Sequence, residues 1–544
     1  MINFKDKKPV KSLSATILLL YTATAFSQSN AQAKCLISVK VNKPINIASR
    51  MKKKVAVTAK WLFILTLTNF SFCVDLYSQK DSLVVDWNHV VSISKTTATL
   101  QVVENPMVRP SSPIHKNTFK ALKELGADYV RYVPWFPYPK MAVAELRRPT
   151  KDSTFWDFSY LDSTMEAIMN ATEGHSVVIN FSTTPSWLWK INYDMPYPQD
   201  LYQVFWAYND GTALRDTTMK EFAGYYARLF SWYTKGGFTD ERGIFHRSNH
   251  YYKIPYWEVL NEPDLEHNIS PRLYTEMYDA IVIELKKISP STKFIGISLA
   301  FENNPEYFEY FLNQKNHRQG IPLDGISYHF YGTPSFGTQK LDDYQYTFFE
   351  KANYFLDRVR YIENIRKRLS PKTITTINEI GTIIGANDNN IPVEYWNLSG
   401  AMFAYVFLEL TKLGIEVAGE SQLVGYPSQF PDVSMMNWEN GKPNARYWIL
   451  KLLKDNFGPG DKLVQTTFNG GDIIAQAFIT SKGKKILLIN TRKKEITVKL
   501  PPGVKDGRAI FVDVDNSDGL EQTRIKSNSI TLKSFAVEVI VLPD

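Results

Sequence analysis

Cysteine is nearly absent: the 544-residue chain has two, Cys35 and Cys73. Both lie within the first 78 residues, so the remainder holds no disulfide, no thiol nucleophile and no cysteine-ligated metal. Long hydrophobic runs are missing as well. The most apolar stretches, Ala15 to Phe26 and Trp61 to Phe72, hold roughly 12 apolar-leaning residues each, short of the ~20 needed to cross a bilayer. No glycine-rich phosphate loop follows the first strand candidate, which argues against an intracellular nucleotide-binding sheet. Charge of one sign is scarce outside the N-terminal stretch. Residues 1 to 78 hold twelve Lys/Arg and two Asp/Glu, a net +10; subtracting this from the formal +8 leaves about −2 for residues 79 to 544. Nucleic acid is therefore excluded as a partner.

The basic stretch reads as an export leader in duplicate. Lys5, Lys7, Lys8 and Lys11 precede the first apolar run, and Ala31-Gln32-Ala33 after it is a small-x-small cleavage pattern. Lys52, Lys53, Lys54 and Lys60 then precede the second run. Two such segments in series point to Met51 as the true start and to a mature chain that is periplasmic or extracellular, with no stable membrane span. Phe72 beside Cys73 is a poor match to the small residues of a lipidation site.

A hydrophobic fraction of 44% with 14% aromatics excludes a disordered chain. The length suits one unit of roughly 300 to 400 residues plus a smaller one. From about residue 98, short β-branched runs alternate with longer segments of helical periodicity. Eight strands are expected: Leu100 to Val103, Tyr129 to Val133, Ser176 to Phe181, Ile254 to Leu260, Phe294 to Ser298, Gly325 to Tyr328, Ile374 to Ile377 and Ile415 to Ala418. Helix ends between them carry clear signals. Ser270-Pro271 opens one helix, Ser289-Pro290 closes it, and Gly126 and Gly414 follow two others. Eight alternating units predict a (β/α)8 TIM barrel over residues 98 to 460. After Gly458-Pro459-Gly460 only short strands and turns remain, which predicts a C-terminal antiparallel β-sandwich over 461 to 544. The strand-like segment Leu83 to Ile93, within residues 79 to 97, is a candidate to complete it.

Barrel chemistry sits at the C-terminal ends of strands, and two of the eight end in Asn-Glu. The fourth runs into Tyr256-Trp257-Glu258-Val259-Leu260-Asn261-Glu262-Pro263-Asp264, the seventh into Asn378-Glu379. A glutamate before a proline is usually a solvated turn residue, so Glu262 alone says little. Strands four and seven lie almost opposite each other, however, so Glu262 and Glu379 can face one another across the mouth. Hydrolysis of a glycosidic bond needs such a pair: an acid to protonate the leaving oxygen and a carboxylate on the other face of the sugar. Separations of ~5 to 5.5 Å give retention and ~6.5 to 9.5 Å give inversion.

The NEPD tetrad, the second glutamate after strand seven and the strand order resemble clan A of the glycoside hydrolases. Within the clan the chain is most similar to family 39, the β-xylosidases and α-L-iduronidases. The likeness rests further on Phe181 to Leu188, on Asp324 to Tyr331 and on Asn437 to Pro443. It implies a retaining mechanism with Glu262 as acid/base and Glu379 as nucleophile, and a β-xylosidase-like action on an oligo- or polysaccharide. The residues around Glu379 match neither subgroup of the family, which leaves the substrate open. The aromatic inserts Pro134 to Phe158 and Tyr193 to Leu214 align with nothing in it.

Supporting roles fall to neighbours of the pair. Asn261 is placed to bond the sugar 2-hydroxyl, and Arg131 to hold Glu379 ionised and oriented. His329 and Tyr328, at the end of strand six, are placed to meet the nucleophile or the sugar. Trp135, Trp187, Trp189 and Trp438 are loop aromatics of the kind that stack on sugar faces or pack a loop, and Trp187 and Trp438 are the candidates for stacking. No His/Asp/Glu cluster has metal-ligand spacing, so neither cofactor nor metal is expected. The rival reading, from a different class, is a carbohydrate-binding protein on a barrel without catalysis.

Overall fold

The computed structural model describes residues 81–193, 195–206, 211–336, 338–385 and 391–543. The leader, Met51 and both cysteines lie outside the described residues. Among the described residues no helix is long and apolar enough to cross a membrane.

Eight parallel strands close into a barrel: β1 (Thr97–Val103), β2 (Val130–Val133), β3 (Val177–Ile179), β4 (Tyr256–Glu258), β5 (Lys293–Leu299), β6 (Gly325–Gly332), β7 (Ile374–Thr382) and β8 (Val417–Glu420). Closure is made by β8 against β1, with Val417 opposite Thr97 and Glu420 opposite Leu100. All eight strands are those expected, and the (β/α)8 barrel with an accessory antiparallel sandwich is the fold. The strands are buried on both faces, as parallel strands covered by helices must be.

The helices form where capping and periodicity direct. Pro271–Ile288 starts at Ser270, whose hydroxyl accepts from the Leu273 amide, with proline in its first turn. Gly126 and Gly414 end their helices at φ of 57° and 76°, a left-handed conformation that costs glycine nothing. The helix Leu341–Leu369 runs 29 residues and buries Phe348, Phe355, Leu356 and Val359 against the barrel wall.

The sandwich has a seven-stranded sheet facing the pair Ile496–Lys499 and Ser529–Leu532. Leu83–Ile93 is the edge strand of that sheet, antiparallel to Lys462–Phe468, so the segment preceding the barrel belongs to the sandwich. Helix Ala445–Asn456 joins the two parts. It packs on β1 and on the sandwich strand Arg508–Val512, and Phe457 just beyond it stacks near Phe478 with ring centroids 4.4 Å apart.

Candidate active site

Regular pairing of β4 stops at Glu258, and the chain then turns sharply. Leu260 and Glu262 adopt φ of 61° and 41°, and the neighbouring β5 breaks at the same level with Ile297 and Ser298 at 66° and 43°. Non-glycine residues in this region cost about 1 to 3 kcal/mol each and concentrate where a side chain must be aimed. The two irregular segments lock together through the Glu262 amide, which donates to the Ser298 carbonyl at 2.8 Å. The result turns Asn261 and Glu262 into the barrel mouth, where both are nearly buried.

Arg131, on β2, is the hub. Its Nε donates to Glu258 Oε2 at 2.5 Å, and Nη1 donates to Glu379 Oε1 at 2.5 Å and Gln101 Oε1 at 2.7 Å. Nη2 donates to Asn261 Oδ1 at 2.6 Å and to Ser298 Oγ at 3.2 Å. All five N–H groups are thus used, in the fixed fork geometry that only arginine offers. Glu258, fully buried, accepts four bonds in return: Arg131 and Asn180 (2.6 Å) on Oε2, Ser327 (2.5 Å) and Asn378 (2.7 Å) on Oε1. A buried carboxylate needs that degree of satisfaction to persist.

Glu379 is held on both oxygens, Oε1 by Arg131 and Oε2 by the Tyr331 hydroxyl at 2.7 Å. His329 lies between the two glutamates, with Nδ1 2.8 Å from Glu262 Oε1 and Nε2 3.6 Å from Glu379 Oε1. One oxygen from each glutamate and one His329 nitrogen all lie within 4.8 Å of one another.

The two carboxyls titrate in opposite directions. Burial raises the pKa of Glu262, and the charge of Glu379 adds to this against the opposing hydrogen bond and charge of His329. Burial also acts to raise Glu379, but the charges of His329 and Arg131 and the bonds from Tyr331 and Arg131 outweigh it and hold Glu379 low. His329 is itself raised: burial disfavours its cation, and Glu379 and Glu262 overcome that. The two shifts favour a proton on the Glu262 side of the pair and a charge on Glu379. Next to Glu262, Asp264 is raised to about 7 by burial, and its oxygens accept from the amides of Ala300 and Phe301.

Of the eight residues expected here, Arg131, Asn261, Glu262, His329 and Glu379 meet in one cluster. Tyr328 does not. β6 continues past Tyr328 to Gly332, and alternation turns His329 and Tyr331 inward while Tyr328 and Phe330 face the helices. Tyr328 packs on Phe308 and Phe355, with ring centroids 5.3 and 6.1 Å away, and Tyr331 takes the place expected for it. Trp187 is half-buried on the loop after β3; its Nε1 donates to the Glu145 carbonyl and Arg215 lies over its ring. Trp438 is half-buried against the core on the tight turn between Met436 and Pro443.

Sequence reading missed Glu258, Gln101, Asn180, Ser298, Ser327 and Ser421, whose hydroxyl bonds both Tyr331 and Gln101. It also missed Glu266, which accepts from Asn261 Nδ2 and from Trp135 Nε1 at 2.9 and 2.7 Å. Trp135 therefore supports the site rather than only packing a loop. A signal was present for Glu258: a carboxylate inside an otherwise apolar strand has to be paired.

Glu262, His329 and Glu379 are also the one group among the described residues whose donor atoms converge closely enough to hold a metal. Their chemistry fits an ion pair better. Arg131 already places a positive charge on Glu379, and the two imidazole nitrogens face different carboxylates rather than a common point.

Solved structures share this arrangement of barrel and sandwich. The chain superposes on the GH51 arabinofuranosidase from Xanthomonas axonopodis pv. citri with a TM-score of 0.58 and 13% identity, over 85% of this chain and 100% of that one. The α-L-arabinofuranosidase of Thermotoga maritima gives 0.56 and 15%, over 84% and 99%. The GH30 endoxylanase of Clostridium papyrosolvens gives 0.53 and 13%, over 85% and 100%. No protein-family model and no curated protein matches the chain. At these identities the likeness is one of fold, the fold implied by the resemblance to clan A, and function rests on the site itself.

Proposed function

We propose that the protein is an exported retaining glycoside hydrolase acting on an oligo- or polysaccharide by double displacement. The observation that carries this reading is the pair Glu262 and Glu379: opposed across the barrel mouth, oxygens within 4.8 Å, and pKa values driven apart. Carboxyl oxygens that close accord with the ~5 to 5.5 Å spacing of retaining enzymes better than with the ~6.5 to 9.5 Å at which inverting enzymes place a water between the carboxyls.

In the first step Glu379 attacks the anomeric carbon while Glu262 gives its proton to the departing glycosidic oxygen. As that proton leaves, His329 stabilises the new anion of Glu262 through the 2.8 Å contact with Nδ1. In the second step Glu262 takes a proton from water, whose oxygen displaces Glu379 and regenerates the enzyme. Asn261, oriented by Arg131 and Glu266, has one amide hydrogen left for the sugar 2-hydroxyl.

The likeness of the NEPD region to family 39 makes β-xylosides the first substrates to test. Arabinofuranosides and xylans follow, because structures of similar fold are described as arabinofuranosidases and an endoxylanase. The decisive experiment is Glu379→Ala on nitrophenyl glycosides: turnover disappears, and azide restores it with a glycosyl azide of inverted configuration. Full activity of Glu379→Ala refutes the assignment. Binding of oligosaccharides with no hydrolysis by the unmodified chain would replace it with the carbohydrate-binding reading.

A further inference from the structure

The aromatic inserts build a second cavity at the mouth of the barrel. It measures about 590 Å³, within the range of ligand pockets, and is walled by Lys140 to Arg148 from the loop after β2 and by Ser186 to Arg215 from the loop after β3. Its described lining includes Lys140, Arg147, Arg148 and Arg215 and no carboxylate. Arg215 is spent, with Glu221 on its Nη2 and the Trp187 carbonyl on its Nε. Lys140 donates to the Gln199 carbonyl at 2.7 Å and makes no ion pair among the described residues. Arg147 and Arg148 are exposed; Arg147 lies over the Phe155 ring and the charge of Arg148 acts on Glu221, but among the described residues neither guanidinium donates a hydrogen bond. Between these cations lie Trp187, half-buried, and Tyr193, half-exposed, two rings of the kind on which sugars stack.

The cavity also has a fixed relation to the reaction. Trp189 in its wall stacks on His267, with centroids 4.0 Å apart, and His267 directly follows Glu266, the partner of Asn261. The cavity wall thus touches the loop that follows the proton donor Glu262.

We propose that this cavity is a subsite for an anionic sugar, carrying a carboxylate or a sulfate ester, within the glycan substrate. The inference rests on the glycosidase reading for that substrate, but its chemistry is independent of turnover. Guanidinium N–H groups that have no protein acceptor, set beside aromatic rings, recognise a planar or tetrahedral anion on a sugar scaffold, a partner that a neutral glycan does not offer.

Binding tests it without catalysis. The full chain carrying Glu379→Gln is titrated calorimetrically with uronate-containing oligosaccharides, with sulfated ones, and with the neutral counterpart of each. The acidic ligand of at least one pair binds about tenfold or more tighter than its neutral partner, and added salt erodes the difference. The better pair identifies the anion. Arg147→Ala with Arg148→Ala removes the preference, and Arg147→Lys with Arg148→Lys restores part of it, at an unchanged melting temperature. Equal binding of acidic and neutral ligands, or a preference that survives the double alanine variant, overturns the subsite. Charge-selective binding with no hydrolysis of any glycoside would leave the subsite standing and refute the enzyme. Hydrolysis without charge selectivity would do the reverse.

Discussion

Glu258→Gln isolates what the buried anion beneath the site contributes. The side chain keeps its shape, so no cavity opens, but one carboxylate oxygen becomes an amide group. That group faces either Arg131 Nε and Asn180 Nδ2 or Ser327 Oγ and Asn378 Nδ2. In the first orientation two donors meet a donor; in the second, the serine hydroxyl can turn to accept but Asn378 still loses its bond. A buried donor left unsatisfied costs ~1 to 3 kcal/mol, and breaking one side of a buried ion pair costs ~3 to 5 kcal/mol. These overlap, because Arg131 is counted in both, and a net loss of about 4 kcal/mol follows. Equilibrium urea unfolding near neutral pH measures it as a lower midpoint at constant slope. Activity falls too, because Glu379 is then the one carboxylate among the described residues with which Arg131 pairs. A loss below about 1 kcal/mol would mean that Arg131 finds compensation elsewhere, and the hub argument would be wrong.

Tyr331→Phe removes a hydrogen bond that favours the anion of Glu379, so its pKa rises and the acid limb of kcat/KM moves to higher pH, with activity down about ten- to a hundredfold. Tyr328→Phe leaves the profile unchanged, since its ring faces the helices. Glu262→Gln retains turnover of glycosides with acidic leaving groups, loses it for natural glycans, and lacks the basic limb of the pH profile. Stability also falls as pH rises. Glu104, Asp264 and Glu420 are each raised to about 7, chiefly by burial, so the folded state holds their protons more tightly than the unfolded chain. Their stabilisation is complete below the unfolded carboxylate range and is lost as pH climbs to the folded value, on the order of 1 to 3 kcal/mol each. The melting temperature is accordingly lower near pH 8 than near pH 5, and Glu104→Gln, neutral throughout, flattens part of that slope.

The barrel was legible because parallel strands buried on both faces are short apolar runs between long amphipathic helices, and eight of each stood out. The sandwich was less so. Glu521–Arg524 is exposed along its whole length and offers no apolar alternation, and Lys462–Phe468 has only Leu463 and Val464 buried. At the site, Glu262 and Glu379 were readable from strand ends and from their resemblance to known motifs. The supporting residues were not, because their meaning depends on which face of a strand they occupy. Ending β6 at Tyr328 hid its last four residues, and with them the parity that separates Tyr331 from Tyr328. Glu258 carries a signal of its own, a charge inside the apolar run YWEV, which a buried strand has to pair.

The five donors of Arg131 reach side chains on β1, on β4 and the turn after it, on β5 and on β7, while Arg131 itself stands on β2. Glu379, more than 240 positions downstream of Arg131, has no counter-ion from that hub until the seventh strand docks, and Gln101, on β1 beside Arg131, gains its second partner, Ser421, when β8 seals against β1. On the glycosidase reading, a chain still being made is therefore inert until its seventh strand is in place. In refolding, hydrolysis appears with barrel closure rather than with the growth of helical signal, so the lag between the two times the sealing of the barrel.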